Sequence, residues 1–154
     1  MANKKFGKHT SNLTGKRYFC MVKKEKMDKK IISTGAIFGM LAIVLGAFGA
    51  HALKKVLSIE ELSTFETGVK YQMYHAIFLL FIGMNDKIAQ KTKKIIYNLT
   101  LVGVLFFSGS IYLLATNSLT TFDFRIIGFV TPMGGLLLIS AWGVLLLSYI
   151  NKKS

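Results

Sequence analysis

The sequence predicts an all-α integral membrane protein, a bundle of four transmembrane helices with a short amphipathic helix between helices 1 and 2. Three uncharged runs carry this prediction: residues 31–53, 95–122 and 126–151, with lengths of 23, 28 and 26 residues. Because about 20 apolar residues in a helix cross the hydrocarbon core of a bilayer, each run is long enough for one span. The composition agrees, since 18% of the 154 residues are charged, against about 25% in soluble domains.

A basic tail precedes the first span. Residues 1–27 are polar and lack apolar periodicity, so we expect them to be disordered, and residues 28–154 to form the transmembrane domain. Met21 and Met27 are alternative start positions, in which case most of the tail is absent from the mature protein. The tail and the following apolar run also resemble a secretory signal, cleaved after Ala52. Retention as helix 1 is favoured, because the run exceeds the about 7–15 apolar residues of a signal.

Helix 1, at about residues 31–53, carries a stripe of small residues spaced alternately by four and three positions. The stripe consists of Gly35, Gly39, Ala42, Gly46 and Gly49. A mean spacing of 3.5 keeps these residues on one face, where another helix can approach closely. The stripe therefore predicts a helix-packing seam, and a homo-oligomer formed through it is one arrangement that would use the seam.

The loop after helix 1 contains Ser58-Ile59-Glu60-Glu61, the pattern of a capping box at a helix N-terminus. It predicts the short amphipathic helix, which we expect to end near Gly68. Helix 2 follows at about residues 67–85, but its uncharged part has only 15 residues. We expect a shorter span that becomes long enough when Lys70 extends to the lipid headgroups.

Helices 3 and 4 are predicted at about residues 95–116 and 126–150. Pro132 interrupts the last segment, because proline removes a backbone donor and disfavours helix at the preceding residue. Two structures fit this pattern: a helix kinked at Pro132, or a helix that begins there with Thr131 as its N-cap. The kink is slightly favoured.

The charges predict an orientation. Sixteen of the 20 Lys and Arg residues lie on the side of the two termini and four on the other side, so both termini should be cytoplasmic. We expect the basic side to contact membrane lipid, including anionic headgroups, and the net charge of +13 therefore does not indicate nucleic acid. The single Cys20 excludes an intrachain disulfide and a Cys-rich metal site. We expect neither a metal nor a cofactor.

In this orientation the unusual polar residues of all four helices fall in the outer half of the bundle. They are His51, Tyr71, Gln72, His75, Ser108, Tyr112 and Thr131. Polar groups within a span are costly when they face lipid, so these side chains should point inward. They predict a polar pocket that opens to the exterior.

Five ordered motifs carry a family resemblance. They are Gly46-Ala47-Phe48-Gly49-Ala50-His51, Thr67-Gly68-x-x-Tyr71-Gln72-x-x-His75, Phe107-Ser108-Gly109-Ser110-x-Tyr112, Thr131-Pro132-x-Gly134-Gly135 and Trp142. Together they resemble domain-of-unknown-function family 423 (DUF423), small four-helix membrane proteins of bacteria with a mitochondrial relative called transmembrane protein 256. The resemblance covers residues 28–150, and Ala141 stands where the family would have glycine. It implies a bacterial plasma or inner membrane and no particular activity.

Three classes of function remain open. The favoured hypothesis is a binding or assembly component, in which the polar residues hold helices together. The alternative is a small transporter or channel subunit, in which histidines, able to titrate near neutrality, line a route. An enzyme is least favoured, because the chain lacks a metalloprotease motif, a nucleophile elbow and a phosphate-binding loop.

Overall fold

Four long helices make up the fold, α1 (Lys4–His51), α2 (Ile59–Met84), α3 (Gln90–Ala115) and α4 (Val130–Ile150). The computed structural model describes residues 4–151, with side chains for residues 21–151 except residue 23. Short 3₁₀ helices occupy the connections at Leu53–Lys55, Asn117–Leu119 and Phe124–Ile127. The predicted class is confirmed, and residues 4–151 contain no strand.

Three parts of the described chain are long and apolar enough to cross a membrane: Lys24–Lys55, Gln90–Ala115 and Phe124–Ile150. They correspond to the three uncharged runs of the sequence. α2 is less apolar, since its charged residues extend to Lys70. Its place as a fourth, shorter span stays a prediction.

The N-terminal part of α1 differs from the sequence prediction. Residues 1–27 are predicted to be disordered, whereas α1 begins at Lys4 and continues into the first span. Lys24 Nζ lies 2.8 Å from Asp86 Oδ1 in the α2–α3 loop, and Lys29 Nζ lies 2.7 Å from Glu25 Oε1 on the preceding turn. Lysine and glutamate are good helix formers, so a basic polar segment extends a helix that the apolar span has already nucleated.

The start of α2 has the predicted capping box. The Ser58 hydroxyl accepts from the Glu61 N–H at 3.2 Å, and Glu61 Oε2 accepts from the Ser58 N–H at 2.8 Å, which lowers the pKa of Glu61. The separate amphipathic helix is wrong, because this segment is the first part of an uninterrupted α2. Gly68 does not end the helix; a Cβ there would lie 2.8 Å from Tyr112 Cε1, so the glycine permits close contact with α3.

Of the two structures predicted at Pro132, a kinked helix and a helix start, the observed one is a helix start. A 3₁₀ turn ends at Ile127, and α4 begins at Val130 with Phe129 as its N-cap, so Thr131 is not the cap. Pro132 is then the third residue of the helix, where the backbone N–H has no acceptor within the helix. Proline costs little at such a position, and the favoured kink is wrong.

The helices pack antiparallel through close glycine contacts. Along α1 and α2, Gly35 lies against Ala76, whereas Gly49 lies against the Phe65 ring, so the predicted stripe faces α2. Between α3 and α4, Gly103 lies against Leu138 and Gly134 against the backbone of Phe107. α2 packs on both α1 and α3, which places α2 and α3 in the middle of the bundle.

Candidate functional site

Gln72 is the centre of a buried polar cluster between the helices. It is 5% exposed, and its Nε2 donates to the Phe38 carbonyl oxygen of α1 at 2.9 Å. Its Oε1 accepts from the Tyr112 hydroxyl of α3 at 2.9 Å. One amide therefore joins three helices, and both of its ends are used.

His75 lies one turn further along α2 and is also 5% exposed. Its Nδ1 is 2.8 Å from the Tyr71 carbonyl oxygen, and because a carbonyl oxygen only accepts, Nδ1 carries the proton in this contact. The other ring nitrogen, Nε2, is buried and has no hydrogen-bond partner among the described residues. The ring stacks on Tyr71 at 6.4 Å between centroids and meets Phe78 edge-on at 6.2 Å.

Two α3 hydroxyls are buried on the side that faces the other helices. Ser108 is 1% exposed and Thr100 is fully buried, and neither side-chain oxygen has a partner within the described part of the chain. Ser108 follows Phe107, whose ring lies 4.8 Å from that of Tyr71. Through Tyr71, the contact brings the His75 turn of α2 and the Ser108 turn of α3 to the same level.

Thr131 belongs to a separate contact between α3 and α4. Its hydroxyl lies 2.6 Å from the hydroxyl of Ser110, which donates to the Phe107 carbonyl oxygen at 3.0 Å. Since the Ser110 proton is used there, Thr131 donates to Ser110. The pair fixes the start of α4 against α3.

The structure brings together five of the seven predicted pocket residues and leaves His51 and Thr131 outside the group. Gln72, His75, Ser108 and Tyr112 lie between helices, with Tyr71 at the edge of this group, 41% exposed. His51 is the last residue of α1, is exposed, and has no described contact with the cluster. The Gln72–Tyr112 hydrogen bond and the Tyr71–Phe107 ring contact join α2 to α3 here. A pocket that opens to the exterior stays a prediction.

A second buried polar group was missed by sequence reasoning. Lys93 is fully buried, and its Nζ lies 2.7 Å from Asp28 Oδ1 of α1 and 3.0 Å from the Gly83 carbonyl oxygen at the end of α2. The Gln90 amide also donates to Asp28, at 3.1 Å. This network joins α1, α2 and α3 at the end of the bundle opposite His51.

The burial of Lys93 is indicated by its position on the buried face of α3. Ile96, Tyr97 and Thr100 follow it by three, four and seven positions, and all three are buried. Residues at these spacings share one helix face, so a helix that starts at Gln90 turns Lys93 inward. A helix predicted to begin at about residue 95 leaves Lys93 outside the helix, among the Lys and Arg residues that predict the orientation.

Among the described side chains, no group of three or more His, Cys, Asp or Glu residues is arranged to hold a metal ion. A cavity at the end opposite His51 is lined by residues 87–89, 92, 148, 149 and 151, none of which belongs to the polar cluster.

Known proteins resemble this chain over most of its length. Residues 45–135 match the family model described as "Protein of unknown function (DUF423)". A UPF0382 membrane protein of Staphylococcus haemolyticus is 42% identical over 124 residues, which cover 78% of this chain and 94% of that protein. No solved structure matches.

Two further relatives come from well-separated bacteria. The UPF0382 membrane protein YwdK of Bacillus subtilis is 35% identical over 125 residues, covering 80% of this chain and 98% of YwdK. The UPF0382 inner membrane protein YgdD of Escherichia coli is 38% identical over 120 residues, covering 77% of this chain and 87% of YgdD. The names state a membrane location and no activity.

Proposed function

This chain belongs to the DUF423 family of membrane proteins, and from that premise we propose that it is a binding or assembly component of a bacterial plasma or inner membrane. The observation that carries the proposal is the use of Gln72, whose amide is hydrogen-bonded at both ends to other helices. A polar side chain that lined a solute route would keep a donor or acceptor for the solute. Gln72 instead fixes the positions of α1, α2 and α3.

The outer faces of the bundle supply the binding surface. On α1, Met40, Ile43 and Val44 are 58–65% exposed, and on α4, Leu136 and Ile139 are 65–69% exposed. The glycine stripe of α1 is occupied by α2 of the same chain, so it is not available to a second copy. We propose that an assembly, including a homo-oligomer, forms through the large apolar residues that α1 and α4 expose.

The proposed orientation places both termini in the cytoplasm. The excess of Lys and Arg lies at the end of the bundle that holds the α2–α3 loop, and this bias sets the orientation of membrane proteins. The Lys93 network then lies near the cytoplasmic end of the bundle, and the Gln72–Phe38 contact lies about 20 Å before His51 along α1.

Native mass spectrometry of protein extracted in mild detergent from its own membrane tests the assembly proposal. We expect a defined mass above that of one chain, from added copies or another bound subunit. Replacing Ile43 and Ile139 each by Asn should remove the added mass, and replacing exposed Ile59 by Asn, outside the predicted spans, should not. A bare single chain in several mild detergents would overturn the proposal.

A small transporter is the second candidate function. His75 Nε2 and the Ser108 hydroxyl favour it, because both are buried without a partner among the described residues, and buried polar atoms normally have one. Vesicles loaded with a pH-sensitive dye test this candidate. Proton flux lost in His75→Ala and kept in Tyr74→Phe, a change at an exposed ring, would favour it; no flux in the unmodified protein removes it.

A further inference from the structure

A groove lies on the side of the bundle away from His51, between residues 24–30 of α1 and the start of α3. Its volume is about 620 Å³, within the range of about 300–1,000 Å³ found for small-molecule sites. Lys24, Lys26 and Lys30 of α1 and Lys91 and Lys94 of α3 line it. Met27 and Gln90 complete the lining, which contains no acidic residue.

The charge of this groove is largely uncompensated. Asp28 is the acidic residue beside it on α1, and Asp28 is already paired with the buried Lys93 at 2.7 Å. Lys24 pairs with Asp86, and the Lys30 ammonium lies over the Tyr97 ring at 5.2 Å from its centroid. The other three lysines, Lys26, Lys91 and Lys94, have no carboxylate partner among the described side chains, so the groove attracts an anion.

The position of the groove relates it to the membrane surface. Lys30 is the last charged residue before the uncharged run 31–53, and Lys94 is the last before the run 95–122. Two neighbouring spans therefore begin at the level of the groove, which is where the headgroups of the bilayer lie. Further along the helices, the Thr34 and Tyr97 hydroxyls are 3.2 Å apart and close the gap between α1 and α3.

We propose that this groove is a binding site for the headgroup of an anionic phospholipid of the surrounding bilayer. The lysines bind the phosphate, and Met27 contacts the apolar part of the lipid next to the headgroup. Because Thr34 and Tyr97 close the interior, the acyl chains stay outside, in the bilayer. Basic pockets between membrane helices bind anionic headgroups. Lysines that only set the orientation of a membrane protein need not line a cavity.

A headgroup between α1 and α3 would hold the two helices together beside the Asp28–Lys93 pair and the Thr34–Tyr97 contact. It would also complement the buried Lys93–Asp28 pair, since the lipid phosphate neutralises the lysines around that pair.

Native mass spectrometry in detergent tests the site with dioleoyl phosphatidylglycerol, which is anionic, and dioleoyl phosphatidylcholine, which is zwitterionic. We expect one phosphatidylglycerol to bind the full chain at least about tenfold more tightly than phosphatidylcholine. The Lys91→Gln/Lys94→Gln variant should bind it about 30-fold more weakly, since each lysine near an anionic membrane surface contributes about a fivefold gain. The control, Lys54→Gln/Lys55→Gln, loses the same charge at the opposite end and should stay within twofold of the unmodified protein.

Three results would overturn the proposal. Equal weakening by both double variants would show attraction by total charge alone. Equal affinity for the two lipids would show that the phosphate charge is not recognised. Displacement of phosphatidylglycerol by glycerol 1-phosphate at equal concentration would identify a site for a soluble phosphate. If Lys91→Gln/Lys94→Gln does not fold, Lys26→Gln/Lys91→Gln removes one charge from each wall and decides the same question.

Discussion

Gly134 at the α3–α4 contact offers a sharp test of the packing. A methyl group on its Cα would lie 2.8 Å from the Phe107 Cα and 2.9 Å from the Phe106 carbonyl carbon, and closer still to the Phe107 nitrogen. These neighbours are backbone atoms, so no side-chain rotation relieves the overlap. Gly134→Ala therefore forces α3 and α4 apart by about half an ångström or more.

The expected magnitude follows from two opposing effects. Overpacking costs about 1–3 kcal/mol, and a contact with rigid backbone belongs at the upper end of that range. Alanine in place of glycine within a helix stabilises the folded state by about 0.5–1 kcal/mol. Gly134→Ala should thus lower the free energy of unfolding by about 2 kcal/mol, the difference between these two effects.

Gly143 provides the matched control in the same helix. A Cβ at Gly143 meets nothing within 4 Å, so Gly143→Ala keeps only the helix-propensity gain of about 0.5–1 kcal/mol. The two variants should differ by about 3 kcal/mol in SDS-induced unfolding from mild detergent, measured by circular dichroism. Trp142 reports on the same helix, because its ring stacks on Phe78 at 4.3 Å. Equal stability of the two variants would refute the close approach of α3 and α4.

Three further predictions concern hydrogen bonds and charges. Tyr112→Phe removes the donor to the central amide and should lower the free energy of unfolding by about 0.6–1.7 kcal/mol, whereas Tyr74→Phe, at an exposed ring, should be neutral in the same titration. Asp28→Asn leaves a buried ammonium uncompensated and should cost about 3 kcal/mol, and Lys93→Met in that background should regain most of it; no recovery would contradict the buried pair. The pKa of Glu61 is lowered in the folded state, so its contribution to stability is present above its ordinary pKa of 4.5 and is lost as the pH falls through the lowered value. The difference in stability between the unmodified protein and Glu61→Gln should therefore vanish in acid, and a difference that persists would exclude the cap as its cause.

Apolar run lengths and local caps were sufficient to predict most of the fold. The uncharged runs locate three of the four helices, and the Ser58 capping box marks a helix start that belongs to α2 rather than to the separate amphipathic helix predicted there. The sequence does not determine how far a helix continues into polar residues. Lysine, glutamate and glutamine all support a helix that a span has nucleated, and so α1 and α3 begin well before their apolar runs.

Helical phase was sufficient to place Gln72 and His75 between helices, but it did not identify their partners. Gln72 binds a backbone carbonyl oxygen of α1, and no side-chain pattern in the sequence marks such an acceptor. His51 is predicted to share the depth of the cluster, yet it is the last residue of α1, about 20 Å along the helix from Phe38, whose carbonyl oxygen binds Gln72. Chain order alone therefore does not fix the depth at which polar residues of neighbouring helices meet.

Two levels of the bundle use different means to hold the same three helices. Midway along α2, neutral groups do so, since Gln72 binds both α1 and α3 without a charge. At the second level an ion pair, Lys93 with Asp28, does so beside a groove of lysines. A buried ion pair is often no more stable than an apolar substitute, so stability alone does not account for it. The proposed anionic headgroup would account for the pair, because it would favour a geometry in which Lys93 points inward to Asp28 while Lys91 and Lys94 remain available to the phosphate.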